Sequence, residues 1–250
     1  MPTTPIDLTH RGRTLRGTRH GPQASRGTVL FAHGFSDSRI GPGRLIVDFA
    51  RALADEGLAV LAFDRAGHGE SDGSFFDVNV PDELDQLAAM AGTVDGPVHL
   101  VGHSLGGMEV ATLAGRQPHN VASLTLWAPA AASADEVAQG KILGRPVGPA
   151  DNAYPFDVNG QALGPSFAQG YDAYDPFEGL SAYTGPVHLH HGESDETVPV
   201  AYAHRYAQLW PQAELTLYPG TDHVWSKLPA RQALILASVR QIVRTAKASA

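Results

Sequence analysis

Two spacings of apolar residues alternate along the chain. Short runs rich in branched and aromatic side chains, Thr28–Ala32, Ala59–Phe63, Val98–Val101, Ser123–Trp127, Val187–His190 and Glu214–Tyr218, read as strands. The first is apolar almost throughout and stops at His33-Gly34, as a buried strand does. Between these runs the spacing becomes helical. Leu45, Phe49 and Leu53 recur every fourth residue before Gly57. Pro81–Met90 opens on a proline suited to a first helical turn and carries Leu84, Leu87 and Ala88 on one face. An alanine-rich helix follows Gly107 to about Arg116, and Leu228–Ala246 forms a last one. Two extended segments, around Ile6–Leu8 and Thr14–Thr18, precede them all. Strand and helix in alternation predict an α/β fold, a mostly parallel central sheet with helices on both faces.

The alternation fails between Ala128 and Gly185, where Gly, Pro and Asp mix with Tyr154, Phe156, Phe167, Tyr171, Tyr174 and Phe177. A structureless loop of that length is rare in a compact domain, so an ordered insertion is expected. It leaves the sheet at the carboxyl end of a strand, the edge where such sheets carry their sites. Residues of about 133–180 are therefore expected to cap a site within a single domain spanning 1–250.

Composition narrows the chemistry. With 250 residues, 43% hydrophobic and 18% charged, the chain can bury one sizeable core. A net charge of -8 leaves no basic stripe for a phosphate backbone, so a nucleic-acid partner is not expected. There is no cysteine, which removes thiolate nucleophiles, disulfides and zinc ribbons; a nucleophile has to be an oxygen or a lysine. Met1–Pro5 lacks the basic start and apolar run of a signal peptide, and no stretch approaches the roughly 20 apolar residues of a membrane span. A cytoplasmic protein without membrane contact is expected. His188 and His190 share one face of a strand but have no third ligand spacing beside them, and no nucleotide-binding glycine pattern occurs, so neither metal nor cofactor is expected.

Gly102-His103-Ser104-Leu105-Gly106 sits between a strand and a helix and fits G-x-S-x-G, the sharp turn that exposes a serine hydroxyl. A hydroxyl attacks only when a base takes its proton. Among twelve histidines, the order Ser, then Asp or Glu, then His selects His223, in a loop after the last strand and before the last helix. The acid that orients it should follow the preceding strand. His191–Pro199 offers Glu193, Asp195 and Glu196, of which Asp195, shorter and deeper in the loop, suits a buried contact to imidazole. Glu193 and Glu196 are assigned to backbone or solvent, and Asp222 to stabilising the loop of His223. His33-Gly34-Phe35 follows an early strand where one backbone donor to a negative oxygen is needed; the N–H groups of Phe35 and Leu105 are the candidate oxyanion hole.

These signatures, with Asp64-Arg65-Ala66-Gly67-His68-Gly69-Glu70-Ser71-Asp72 between them, resemble the α/β-hydrolase superfamily across essentially the whole chain. The short middle insertion, Ala128-Pro129-Ala130-Ala131 and Ser71-Asp72-Gly73 look most like the bacterial cinnamoyl and feruloyl esterases. That resemblance implies a compact cap over an aromatic acyl pocket and a serine carboxylesterase acting on a small-molecule ester. It suggests Glu136 as a substrate-binding residue for a phenolic ring, whereas Leu143 and Ser166 stand where larger polar groups are expected. A carbon–carbon hydrolase, peptidase or acyltransferase would use the same three residues, and a ligand receptor would use the fold without them.

Overall fold

The computed structural model describes residues 3–147 and 155–248; Tyr154, Met1 and Pro2 lie outside them. The chain begins with an antiparallel hairpin, β1 (Thr3–His10) and β2 (Arg13–His20). It is longer than the hydrophobic pattern suggests because β1 is largely exposed and carries only Ile6 and Leu8 as aliphatic signal. Strand and helix then alternate through β3 (Thr28–Ala32), α1 (Leu45–Asp55), β4 (Ala59–Phe63), α2 (Val80–Ala91), β5 (Val98–His103), α3 (Leu105–Arg116) and β6 (Val121–Trp127). The insertion is a patchwork: α4 (Ala132–Ala138), a hairpin of β7 (Lys141–Ile142) and β8 (Arg145–Pro146), a second of β9 (Phe156–Val158) and β10 (Gln161–Leu163), and α5 (Ser166–Gln169). The last part comprises β11 (Val187–Gly192), α6 (Ala201–Leu209), β12 (Glu214–Tyr218) and α7 (Leu228–Ala248).

One sheet of eight strands runs in the order β1-β2-β4-β3-β5-β6-β11-β12. β2 meets β4 antiparallel, and every later neighbour is parallel. Strands β3, β4, β5 and β11 are buried almost end to end because helices cover both faces. Period-two alternation divides the core. Val29 and Phe31 face α1 and α7, among Phe49, Leu53, Trp127, Leu234 and Ile242. Leu30 and Ala32 face the opposite layer, with Leu87 and Met90 of α2, Val110 and Leu113 of α3, and Tyr206 of α6. Helix α6 escapes the sequence pattern because only Ala203 and Tyr206 are fully buried on it. Helix α2 starts as its sequence dictates: Asn79 caps it, its side chain accepting the Asp82 amide at 3.0 Å, and Pro81 lies in the first turn.

A third cluster lies beyond the carboxyl edge of the sheet. There Ile142, Phe156, Val158, Leu163, Phe167 and Tyr171 of the insertion pack on Val80 and Leu84 of α2 and Leu105 and Met108 of α3. The described part of the insertion is therefore held by its own small apolar core, seated beside the start of α3.

Candidate active site

Ser104 is the single residue between β5 and α3, with φ 55° and ψ -121°. A side chain held at positive φ is strained, and the surroundings over-determine it here. Its amide donates to the Trp127 carbonyl at 2.9 Å, and its own carbonyl accepts the amides of Met108 at 3.1 Å and Ala130 at 3.0 Å. The flanking glycines are required by contact. A Cβ on Gly102 would lie 2.3 Å from the Gly106 carbonyl oxygen, and one on Gly106 would lie 2.3 Å from that of His33. Backbone thus fills the space on both sides, and the turn projects the serine hydroxyl.

The two later loops leave the same edge, because β5, β11 and β12 are parallel members of one sheet. They are laced together: the Glu193 amide donates to Tyr218 O and the Ser194 amide to Thr221 O, each at 3.0 Å. Gly192 makes that lacing fit, since a Cβ there would come within 2.3 Å of the Thr221 carbonyl oxygen. His223 Nε2 stands 2.9 Å from Ser104 Oγ, and its Nδ1 stands 2.7 Å from Asp195 Oδ2. The other Asp195 oxygen accepts the amides of Thr197 at 2.9 Å and Val198 at 2.8 Å. Burial alone would push this carboxyl up. Hydrogen bonds from His191 and His223, the charge of His223 and the Val198 amide outweigh it and hold the group well below the usual carboxylate range.

Two further histidines support this line, and neither was singled out from sequence. His191 is fully buried, with Nε2 2.8 Å from the Val198 carbonyl and 3.3 Å from Asp195 Oδ2. His103 is buried too; its Nε2 lies 3.0 Å from the His223 backbone carbonyl, and the two rings pack at 5.0 Å between centroids. Burial and the neighbouring His223 charge push its pKa down to about 3, so the ring is neutral and donates that hydrogen bond. Its place directly before Ser104 was the available signal. Glu193 and Glu196 are exposed, and Asp222 accepts the Ser226 amide at 2.9 Å, bracing the His223 loop. His188 and His190 are buried; His190 bonds Tyr218 and Gln241 at 2.9 and 3.0 Å. Among the described residues no group of three His, Cys, Asp or Glu is placed to hold a metal.

A cavity of about 370 Å³ opens beside Ser104, and Phe35, Leu105, Ala132, Val137, Ile142 and Phe167 give it a largely apolar wall. The Phe35 ring packs 4.7 Å from Phe167 and 5.3 Å from Phe75, so Phe35 also belongs to the insertion's core. Glu136 and Leu143 both line the cavity. The Glu136 carboxylate has no hydrogen-bond or ion-pair partner among the described residues. Lys141 lines it as well and had not been anticipated. Ser166 instead bonds the Phe76 carbonyl at 3.4 Å and is not part of the wall.

Residues 27–163 match the family described as having the alpha/beta hydrolase fold. The chain belongs to that family. Within the alpha/beta hydrolases it is similar to a monoacylglycerol lipase of Mycolicibacterium smegmatis, 26% identical over 86% of each chain. It is also similar to a non-heme chloroperoxidase of Kitasatospora aureofaciens, 27% identical over 80% of this chain and 86% of that one. Among solved structures it resembles Est1E from Butyrivibrio proteoclasticus with ferulic acid bound. That match has a TM-score of 0.84 and 25% identity, covering 95% of this chain and 99% of the other. The protein is a hydrolase of the alpha/beta hydrolase superfamily. No helix among the described residues is long and apolar enough to cross a membrane.

Proposed function

We propose that the protein is a serine carboxylesterase that hydrolyses small or aromatic acyl esters through an acyl-enzyme on Ser104. The observation that carries this is the line of hydrogen bonds from Asp195 through His223 to Ser104 Oγ, at 2.7 and 2.9 Å, ending at an apolar cavity. His223 takes the hydroxyl proton as Oγ attacks the ester carbonyl. Asp195 holds the imidazole by Nδ1–H and balances the imidazolium. The N–H groups of Phe35 and Leu105 receive the oxyanion, and the first turn of α3 adds its dipole. His223 then returns the proton to the departing alkoxide, and a water activated by the same ring releases the acid. Residues 133–180 act as the cap that selects the acyl group.

An aromatic acyl group is supported by the Phe35 and Phe167 wall and by the likeness to a structure that holds ferulic acid. The Glu136 carboxylate, which has no hydrogen bond or ion pair among the described residues, would accept the phenolic hydroxyl. The aliphatic part of the wall, Val137, Ile142, Leu143 and Val198, with the similarity to a monoacylglycerol lipase, favours straight-chain acyl groups as a second class. A panel of nitrophenyl esters of graded acyl length, with methyl ferulate and a monoacylglycerol, decides between them. Turnover of methyl ferulate with falling rates beyond short acyl chains supports the first class. Rates rising with chain length support the second, and no turnover of any ester contradicts both.

A further inference from the structure

Behind the oxyanion loop lies a fully buried ion cluster that the reaction as described does not use. Arg65, from the turn after β4, is wholly inaccessible, as is Glu109 of α3, and Glu83 of α2 is 1% exposed. The guanidinium pairs with Glu109 through Nη1 and with Glu83 through Nε at 2.9 Å. Its Nη2 donates to the carbonyls of His33 at 2.8 Å and Gly34 at 3.1 Å. His33 adds to the same anchor: its Nδ1 lies 2.8 Å from Gly34 O, and its Nε2 accepts the Arg65 amide at 3.1 Å. Burial and the charge of Arg65 hold the His33 ring neutral.

These carbonyls belong to the segment that ends in Phe35. A trans peptide points C=O and N–H in opposite directions within one plane, so fixing the Gly34 oxygen inward aims the Phe35 N–H outward. We propose that Arg65, gripped by Glu83 and Glu109, is the positioning residue that aims the Phe35 N–H at the oxyanion. This inference rests on the esterase reading above.

The cluster is built for a fixed position. Burial, opposed by Arg65 and reinforced by Glu83, pushes the Glu109 carboxyl well above its usual range. Glu109 Oε1 and Glu83 Oε2 meet no hydrogen-bond donor, so the guanidinium is the shared anchor of the two acids. Donors fixed before the reaction need no reorganisation when charge develops, which is where an oxyanion hole gains its effect.

Arg65→Lys keeps a positive charge, but a single ammonium cannot serve both carbonyls and both acids. A second variant, Arg65→Met with Glu83→Gln and Glu109→Gln, leaves no buried charge unpaired, so it preserves folding if the first does not. For each folded variant, kcat and KM on nitrophenyl acetate are measured with the inhibition constant of a trifluoromethyl ketone, which forms an oxyanion on Ser104. The expected result is a kcat loss of about 10- to 100-fold, short of the roughly 100- to 1,000-fold cost of losing a donor outright. KM should change less than about twofold, while inhibitor affinity falls in step with kcat. A merely structural role would lower melting temperature without that matched fall. Folded variants with kcat and inhibitor affinity within about twofold of the parent overturn the inference. Ser104→Ala is run alongside. Retained ester turnover in it overturns the esterase reading and this inference together, whereas abolished turnover beside an unchanged Arg65 variant overturns the inference alone.

Discussion

The carboxyl edge of the sheet and the insertion beside it are held by different means. At the edge, Ser104, Asp195 and His223 stand on loops fixed by backbone: three hydrogen bonds at the Ser104 peptide units, two between the Asp195 and His223 loops, and glycine contacts that admit no Cβ. The described part of the insertion has short helices and two small hairpins, held by the packing of its own aromatic and aliphatic side chains on α2 and α3. Positions set by backbone tolerate little change, whereas a wall set by side-chain packing can be rebuilt. The expectation is a division of labour, with the chemical step belonging to the edge and the choice of acyl group to the insertion.

Breaking the edge should have the largest effect. Ser104→Ala and His223→Ala should each reduce ester turnover by on the order of 10⁵- to 10⁶-fold, with the double variant no worse than either, because the residues act as a unit. Steady-state assays at high enzyme concentration check this. Losses that multiply would show that the residues act independently.

Next in size is the orienting acid. Asp195→Asn should lower kcat by roughly 10⁴-fold by holding the imidazole in the wrong tautomer, with Glu196→Gln close to the parent. If Glu196→Gln proves the worse of the two, the acid at the edge has been misassigned.

The insertion supplies a smaller, selective effect. Glu136→Ala should weaken kcat/KM for methyl ferulate relative to an unsubstituted phenyl ester by roughly 1 to 3 kcal/mol, the cost of a lost charge-assisted hydrogen bond. The maximal rate on nitrophenyl acetate should stay near the parent's. Equal losses on both esters would leave Glu136 without a role in recognising the phenol.

The smallest effect is on stability in acid. Asp195 has a lowered pKa in the folded state, so its contribution is present above the unfolded value of about 4 and is lost as pH falls toward its lower folded value. Melting temperature should therefore drop more steeply between about pH 4 and pH 2 in the parent than in Asp195→Asn. Parallel curves would contradict the depressed carboxyl.

The same contrast explains what could be read from sequence. The strands, the turn around Ser104 and the order of Asp195 and His223 leave strong local marks: apolar runs, paired glycines, and loops after successive strands. The insertion was legible only as a break between Ala128 and Gly185, because strands of two or three residues have no period to detect. Helix α6 was missed for its thin apolar face. The Arg65 cluster left one clue, an acid at Glu109 between Met108 and Val110 on a largely apolar helix. Its partner Glu83 is on another helix, and only the folded chain brings them together.

The most direct measurement is covalent. The protein is treated with a fluorophosphonate at neutral pH, weighed intact, and digested to locate the adduct. The account predicts one adduct per chain, on the Ser104 hydroxyl, forming at a rate that collapses in His223→Ala and is absent in Ser104→Ala. An adduct on another residue, or an unmodified protein that still hydrolyses esters, would contradict it.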